Sequence, residues 1–308
     1  MIVLGREEVA ALLDPEALVE CVSVALADLS AGRASVPPRI ACFTPAGLLG
    51  AMAAYVPSLD ALAAKLVSVF PQNAGIPTHH ALIAVFDPRT GAPVAILDGE
   101  EITAQRTAAA SAIATGLLAR ADAQTLAIVG TGVQAASHAR YVARVRRFRS
   151  VLVAGRDPAR AEKLAAQVGG RAVAIAEAVE TADVICAATH AREPVVLRKW
   201  LRPGAHLNSV GLNPQGRELD EVTGALVAVE SRASALAPPP AGANELQGIE
   251  AAGVVELGEL ISGARAGRTS AGQITIYKSV GVAAEDAAAA ALVLQRARAR
   301  GASRTLDL

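Results

Sequence analysis

Residues 125–135, T-L-A-I-V-G-T-G-V-Q-A, join a V/I/L-rich run to a helical pattern through Gly130 and Gly132. A junction of this kind can hand a dinucleotide pyrophosphate to a helix N-terminus. The first glycine permits the tight turn, the second lets the backbone approach the phosphates, and a small residue at Ala135 allows close helix–strand packing. The spacing G-x-G-x-x-A also serves a plain strand-to-helix turn, and in a chain with 26 glycines it is not decisive alone. The context decides: the helical pattern from Val133 to about Arg147 leads to a second apolar run, Ser150–Ala154, which completes a βαβ unit. Gly130, Gly132, Val133 and Gln134 are therefore predicted to bind a dinucleotide.

The second run ends Gly155-Arg156-Asp157. NAD-selective sites place an acid at this point, against the ribose 2′-hydroxyl. A small residue followed by Arg156 instead leaves room for a 2′-phosphate and supplies a forked cation, which predicts NADP(H) as the preferred cofactor. Asp157 reads as the N-cap of the next helix, with Pro158 at its first position. An Asp157 that faced the ribose would admit NAD(H) as well.

A second group of polar residues lies in apolar surroundings: Arg39 in V-P-P-R-I, Lys65 in A-A-K-L-V-S-V-F, Thr78 in G-I-P-T, and Arg106 in I-T-A-Q-R-T-A-A-A-S-A. Singly, each has an ordinary reading, since a strand lysine snorkels to water and an arginine early in a helix is solvated. Together, three cations in the apolar runs of one small region need a counter-charge, and the neighbouring sequence offers few acids. A small carboxylate ligand is the predicted partner.

These groups need a scaffold. The chain of 308 residues is 52% apolar and only 3% aromatic, so its core is built from Ala, Val, Leu and Ile, and its length suits roughly two domains. With 29 acidic and 29 basic residues, nothing favours nucleic acid or an acidic membrane surface. The basic run Arg144–Arg149 reads as the cationic end of a helix. Cys21, Cys42 and Cys186 have no metal-ligand spacing, and free thiols suit a reducing cytoplasm. The start of the chain carries no signal-peptide pattern, and the Ala-rich region near Ala283–Leu294 contains Glu285 and Asp286 and reads as a buried helix.

Along the chain, Met1–Leu4 is predicted as a strand, and Arg6–Leu13 and Asp14–Ser30 as helices, with Asp14 as N-cap. Between 36 and 98, five apolar runs alternate with turns, among them D-P-R-T-G at 87–91, which predicts an antiparallel meander. A helix follows from Thr103, as its N-cap, to about Arg120. Strands are then predicted at 125–129, 150–154, 171–175, 183–187, 205–210 and 225–229, with a helix at 254–263, a strand at 273–277 and a final helix from Ala283. The fold class is α/β: a Rossmann-type doubly wound parallel sheet, residues 121–279, inserted into an α+β substrate and dimerisation domain, residues 1–120 plus 280–308.

Several segments together resemble the ornithine cyclodeaminase / mu-crystallin family, over nearly the whole chain. They are P-P-R at 37–39, K-L-V-S-V-F-P-Q-N at 65–73, L-D-G-E-E-I-T-A-Q-R-T-A-A-A-S-A at 97–112, G-T-G-V-Q-A at 130–135, R-E-L-D at 217–220 and K-S-V-G-V-A-A-E-D at 278–286. The resemblance implies a homodimer formed through the N-terminal domain, and an active site in the cleft between the two domains. It implies that Arg39, Lys65 and Arg106 hold the carboxylate of an amino or imino acid, with Lys65 placed to donate a proton and Thr78 on the substrate side. It further implies that Thr189, Val210 and Gly211 face the ribose and nicotinamide.

One segment departs from the family. Where cyclodeaminases carry a G-G-D-x-P-G pattern, this chain has G-L-N-P-Q-G at 211–216. The amide of Asn213 can orient substrate or water but cannot act as a general base. The change weighs against ammonia elimination and leaves hydride transfer untouched. The sequence is thus expected to encode a cytoplasmic NAD(P)H-dependent oxidoreductase acting on the C=N or C–N bond of a small imino or amino acid. Ornithine cyclodeaminase activity is the first alternative, and nicotinamide-dependent ligand binding without turnover the second.

Overall fold

The computed structural model describes residues 1–301, 305 and 306. In chain order the elements are β1 (Ile2–Leu4), α1 (Arg6–Leu12), α2 (Pro15–Ser30), β2 (Ile40–Phe43), β3 (Leu48–Val56), β4 (Ala61–Val69), β5 (His79–Phe86), β6 (Pro93–Asp98) and α3 (Gly99–Leu118). There follow β7 (Thr125–Val129), α4 (Val133–Val145), β8 (Ser150–Ala154), α5 (Pro158–Val168), β9 (Arg171–Ala172), α6 (Ile175–Thr181), β10 (Val184–Ala187), β11 (His206–Ser209) and β12 (Leu226–Val229). The last are α7 (Arg232–Ala235), β13 (Val254–Glu256), α8 (Leu257–Ile261), β14 (Thr275–Lys278) and α9 (Ala283–Ala299).

The chain divides into two compact units, Met1–Arg106 with Val282–Leu308, and Thr107–Gly281. The division falls inside α3, before the boundary expected near 120, because this helix has no break in its run of small residues.

The first unit is built on a six-stranded sheet of order β1-β6-β5-β4-β3-β2. Strands β2 to β6 form the antiparallel meander, and β1 adds parallel to β6. The D-P-R-T-G hairpin closes as its composition predicts: Asp87 Oδ1 accepts from Arg89 N at 2.8 Å, and Gly91 takes φ +74°. Residues Met52, Lys65, Ile83 and Leu97 pair across β3 to β6 on one face, and all four are buried. Helix α9 packs on β3 and β4, and α2 packs on α9. The opposite face is apolar yet open, with Ile40, Ala51, Leu66 and Leu82 in one cross-strand row and Ile40 70% exposed.

The α3 start differs from the expected cap at Thr103. Asp98 Oδ1 accepts from Glu101 N at 2.8 Å, while Thr103 Oγ1 donates to Gly99 O one turn inside the helix. Gly99 does not break the helix; it lets α3 start hard against β5, where a Cβ would come within 2.9 Å of Ala81.

The second unit holds an eight-stranded parallel sheet of order β13-β12-β14-β11-β10-β7-β8-β9. Reading outwards from β7, the chain winds to β8 and β9 on one side and to β10, β11 and β14 on the other. The strand order therefore reverses at β7/β10, the point where doubly wound sheets bind ligands. Two predicted elements are corrected. The strand expected at 171–175 shrinks to β9, because Ile175 turns inward at the head of α6. The helix expected at 254–263 is strand β13 followed by α8, its apolar Val254 and Val255 adding to the sheet beside β12.

Candidate active site

In the first unit, β4 carries Lys65 on the buried face at 3% exposure. Helix α3 carries Arg106 in its second turn, also buried. The counter-charge comes from the first turn of α9. Lys65 Nζ lies 2.8 Å from Asp286 Oδ2, Arg106 Nε donates to Asp286 Oδ1 at 3.1 Å, and Arg106 Nη1 to Glu285 Oε2 at 2.5 Å. The expectation that these cations lack nearby acids is overturned, because the acids stand 180 residues along the chain from Arg106. Burial of four charges in one place demands this mutual pairing, and acids in a first helical turn also meet the favourable end of the helix dipole.

Arg39, half-buried ahead of β2, lies close enough to act on the charge of Lys65. Burial pushes Lys65 down to about 8 from the ordinary lysine value, Arg106 and Arg39 push the same way, and Asp286 opposes them. Burial would raise the Asp286 carboxyl, but Arg106 and Lys65 beside it prevail and hold it below the usual range. Lys65 Nζ also donates to Thr103 Oγ1 at 3.4 Å. Thr78 stands at the head of β5, exposed, its carbonyl accepting from Phe70 N at 2.8 Å. Its neighbour His79 is on the Lys65 face; burial and then the Lys65 charge lower its pKa.

In the second unit, Gly130 ends β7 with φ +124°, and a Cβ there would meet Ala188 O at 2.4 Å. Gly132 is the N-cap of α4 and has no side-chain cap, while a Cβ at Gly132 would meet no protein atom within 4 Å. Ala135 is fully buried against the sheet, Val133 is exposed, and Gln134 Oε1 is buried without a hydrogen-bond partner. Open space over an uncapped helix end fits a dinucleotide pyrophosphate.

At the end of β8, Asp157 is the N-cap of α5 and accepts from Arg160 N at 3.2 Å, as predicted. Arg156 is exposed. Gly155 is small for a reason internal to the fold: a Cβ there would come within 2.8 Å of Thr131 Cγ2.

Thr189 and Gly211 follow β10 and β11 on the carboxyl edge of the sheet, and Val210 N donates to Ala187 O at 3.0 Å. Both loops are held by Glu218 of the R-E-L-D segment. Asn213 is spent locally. Its Nδ2 donates to Ala191 O in the loop after β10 at 3.1 Å and its Oδ1 accepts from Gln215 N at 3.0 Å, so it ties its own loop to the neighbouring one.

The residues missed from sequence are thus Glu285, Asp286, Glu218 and His79. Two adjacent acids in an alanine-rich stretch that reads as a buried helix are the available signal for the first pair.

Strand order, glycine turn and bare helix end define a dinucleotide-fold protein. A family model described as the ornithine cyclodeaminase/mu-crystallin family matches residues 1–301, and the chain belongs to that family. It is 42% identical to the mouse (Mus musculus) ketimine reductase mu-crystallin over 255 residues, 80% of each chain. It is 34% identical to a Bacillus cereus Delta(1)-pyrroline-2-carboxylate reductase over 331 residues, covering all of both. Among solved structures, Thermococcus litoralis Delta(1)-pyrroline-2-carboxylate reductase in complex with NADH and L-proline superimposes with a TM-score of 0.92 at 35% identity, covering 99% of this chain and 100% of that one. Among the described residues no helix is long and apolar enough to cross a membrane, and no cluster of His, Cys, Asp and Glu could hold a metal ion.

Proposed function

We propose that this chain is an NAD(P)H-dependent reductase that acts on the C=N bond of a small, carboxylate-bearing cyclic imino acid. The observation that carries the reading is the buried pairing of Lys65 and Arg106 with Glu285 and Asp286, with Arg39 close enough to act on Lys65, a gathering of cations that suits a substrate carboxylate. The Bacillus and Thermococcus relatives, reductases of a five-membered cyclic imino acid by name, support the same substrate class.

Gly130, Gly132, Val133 and Gln134 would hold the pyrophosphate, and Thr189, Val210 and Gly211 the nicotinamide half. The bound dinucleotide supplies the hydride. Arg156, with Asp157 committed to capping α5, supports NADP(H) over NAD(H). Arg39 and Arg106 hold the substrate carboxylate and fix its orientation. Lys65 keeps a proton at Nζ near neutral pH, and that proton passes to the substrate nitrogen as the double bond is reduced. With Asn213 bracing its loop, the chain has no base there for ammonia elimination.

The active form is a homodimer in this reading, joined through the open apolar face of the first unit's sheet around Ile40, Leu49, Leu66 and Leu82, an area too continuous to face water unaided. Cys21, Cys42 and Cys186 are unpaired, which supports a reducing, cytoplasmic setting.

Lys65→Met tests the proton role. The expected result is a loss of imine-reducing kcat on the order of 10²–10⁴-fold, with NADPH affinity unchanged. An unaltered kcat would remove Lys65 from the chemistry.

A further inference from the structure

The segment R-E-L-D at 217–220 has no part in the chemistry above, yet Glu218 is 2% exposed and its carboxylate accepts four hydrogen bonds. Oε1 accepts from Thr189 N at 2.6 Å and from Thr189 Oγ1 at 2.7 Å. Oε2 accepts from Ser209 Oγ at 2.9 Å and from Gly211 N at 2.7 Å. One side chain therefore ties the loop after β10 to the loop after β11.

A second layer holds the first. Glu218 N donates to Glu245 Oε1 at 2.8 Å. Lys278 Nζ donates to that same oxygen at 3.1 Å, to Ser209 Oγ at 3.1 Å and to Gly211 O at 2.7 Å. Both polar groups of the Gly211 backbone are thus fixed, its N–H by Glu218 and its carbonyl by Lys278. Gly211 fits because it lacks a side chain: a Cβ there would lie 2.1 Å from Thr189 O and 2.4 Å from Glu218 Cδ. The strand ends Ala187, Ser209 and Lys278 are in register, so the network spans the carboxyl edge of β10, β11 and β14.

That edge is the half of the sheet that receives the second mononucleotide of a dinucleotide, the adenosine half lying over β7 and β8. We propose that Glu218 is a positioning residue for the nicotinamide half of the cofactor. It sets the Thr189 and Gly211 backbone in advance, so that binding does not have to order two loops. The inference rests on the dinucleotide reading given above. Each oxygen of Glu218 accepts from one backbone N–H, so a glutamine there must turn its NH₂ against the N–H of either Thr189 or Gly211, and one loop loses that bond whichever way the amide faces.

The test is equilibrium binding by Glu218→Gln and wild type, using NADPH and, separately, adenosine 2′,5′-bisphosphate, which lacks the nicotinamide half. The expected result is NADPH binding weakened by at least about tenfold, as loss of hydrogen bonds to a charged group implies, with the bisphosphate bound as in wild type. Equal weakening of both ligands, or of neither, overturns the proposal. Failure of wild type to bind either NADPH or NADH would instead overturn the dinucleotide reading itself. Ser209→Ala removes only one donor, and it keeps the test available if Glu218→Gln does not fold. It should show the same split with smaller amplitude, and equal affinities for NADPH in Ser209→Ala and wild type would count against the role of Glu218.

Discussion

At the residue scale the proton transfer proposed for Lys65 turns on how far its side chain is displaced from an ordinary lysine. Burial, with Arg106 and Arg39 adding to it, brings its pKa to about 8. The ammonium is present at neutral pH and lost above that value, so imine reduction should fall as pH rises through about 8, while oxidation of the amine product, which needs the neutral amine as base, should rise over the same range. Asp286 works against the depression. Asp286→Asn should therefore move the alkaline limb of the kcat profile to lower pH, and should destabilise the fold by about 3–5 kcal/mol, since it strips one partner from a buried ion cluster. A limb that stayed in place would separate Lys65 from the titrating group. The linkage sign is the reverse of the usual lysine case: folded Lys65 releases its proton before an unfolded lysine does, so its contribution to stability improves between about 8 and 10.5. The three cations were legible because charge in an apolar run is conspicuous. Their carboxylate partners were not, because Glu285 and Asp286 lie in α9, at the far end of the chain, and only folding brings that helix onto β3 and β4.

At the scale of elements, β7, α4 and β8 were plain in the sequence because each is marked by its own residues: a run of apolar side chains, two glycines, then a helical period. Strand β9 and strand β13 were not. Both are short edge strands whose few residues carry too little period to separate them from adjoining helices, and neighbours rather than propensity place them. Helix α5 offers the sharper test, because Asp157 caps it and Arg156 precedes it. Asp157→Ala should lower stability by about 1 kcal/mol through loss of the cap, with the ratio of kcat/KM for NADPH and NADH unchanged. Arg156→Ala should lower that ratio with stability unchanged. Should Asp157→Ala instead shift the ratio strongly toward NADPH, Asp157 would be a ribose ligand and the cofactor reading would need revision.

At the scale of the whole molecule, both parent folds were readable from the order of apolar runs, and the mid-chain glycine motif already implied an inserted nucleotide unit. The division inside α3 was not readable, because the helix runs without a break from Gly99 to Leu118 and carries no mark where one unit ends. The apolar outer face of the β2–β5 sheet became visible only with register, which sets Ile40, Ala51, Leu66 and Leu82 side by side. Leu66→Lys on that face should convert a dimer to a monomer in sedimentation velocity, and a monomeric wild type would leave the patch unexplained. The central claim is chemical, however, and one assay bears on it most directly: oxidation of NADPH by the purified protein in the presence of Δ1-pyrroline-2-carboxylate or Δ1-piperideine-2-carboxylate. Steady turnover on at least one of these imines, with no ammonia released from ornithine in the presence of NAD, is the predicted result. The absence of turnover on both, or ammonia release from ornithine, would contradict it.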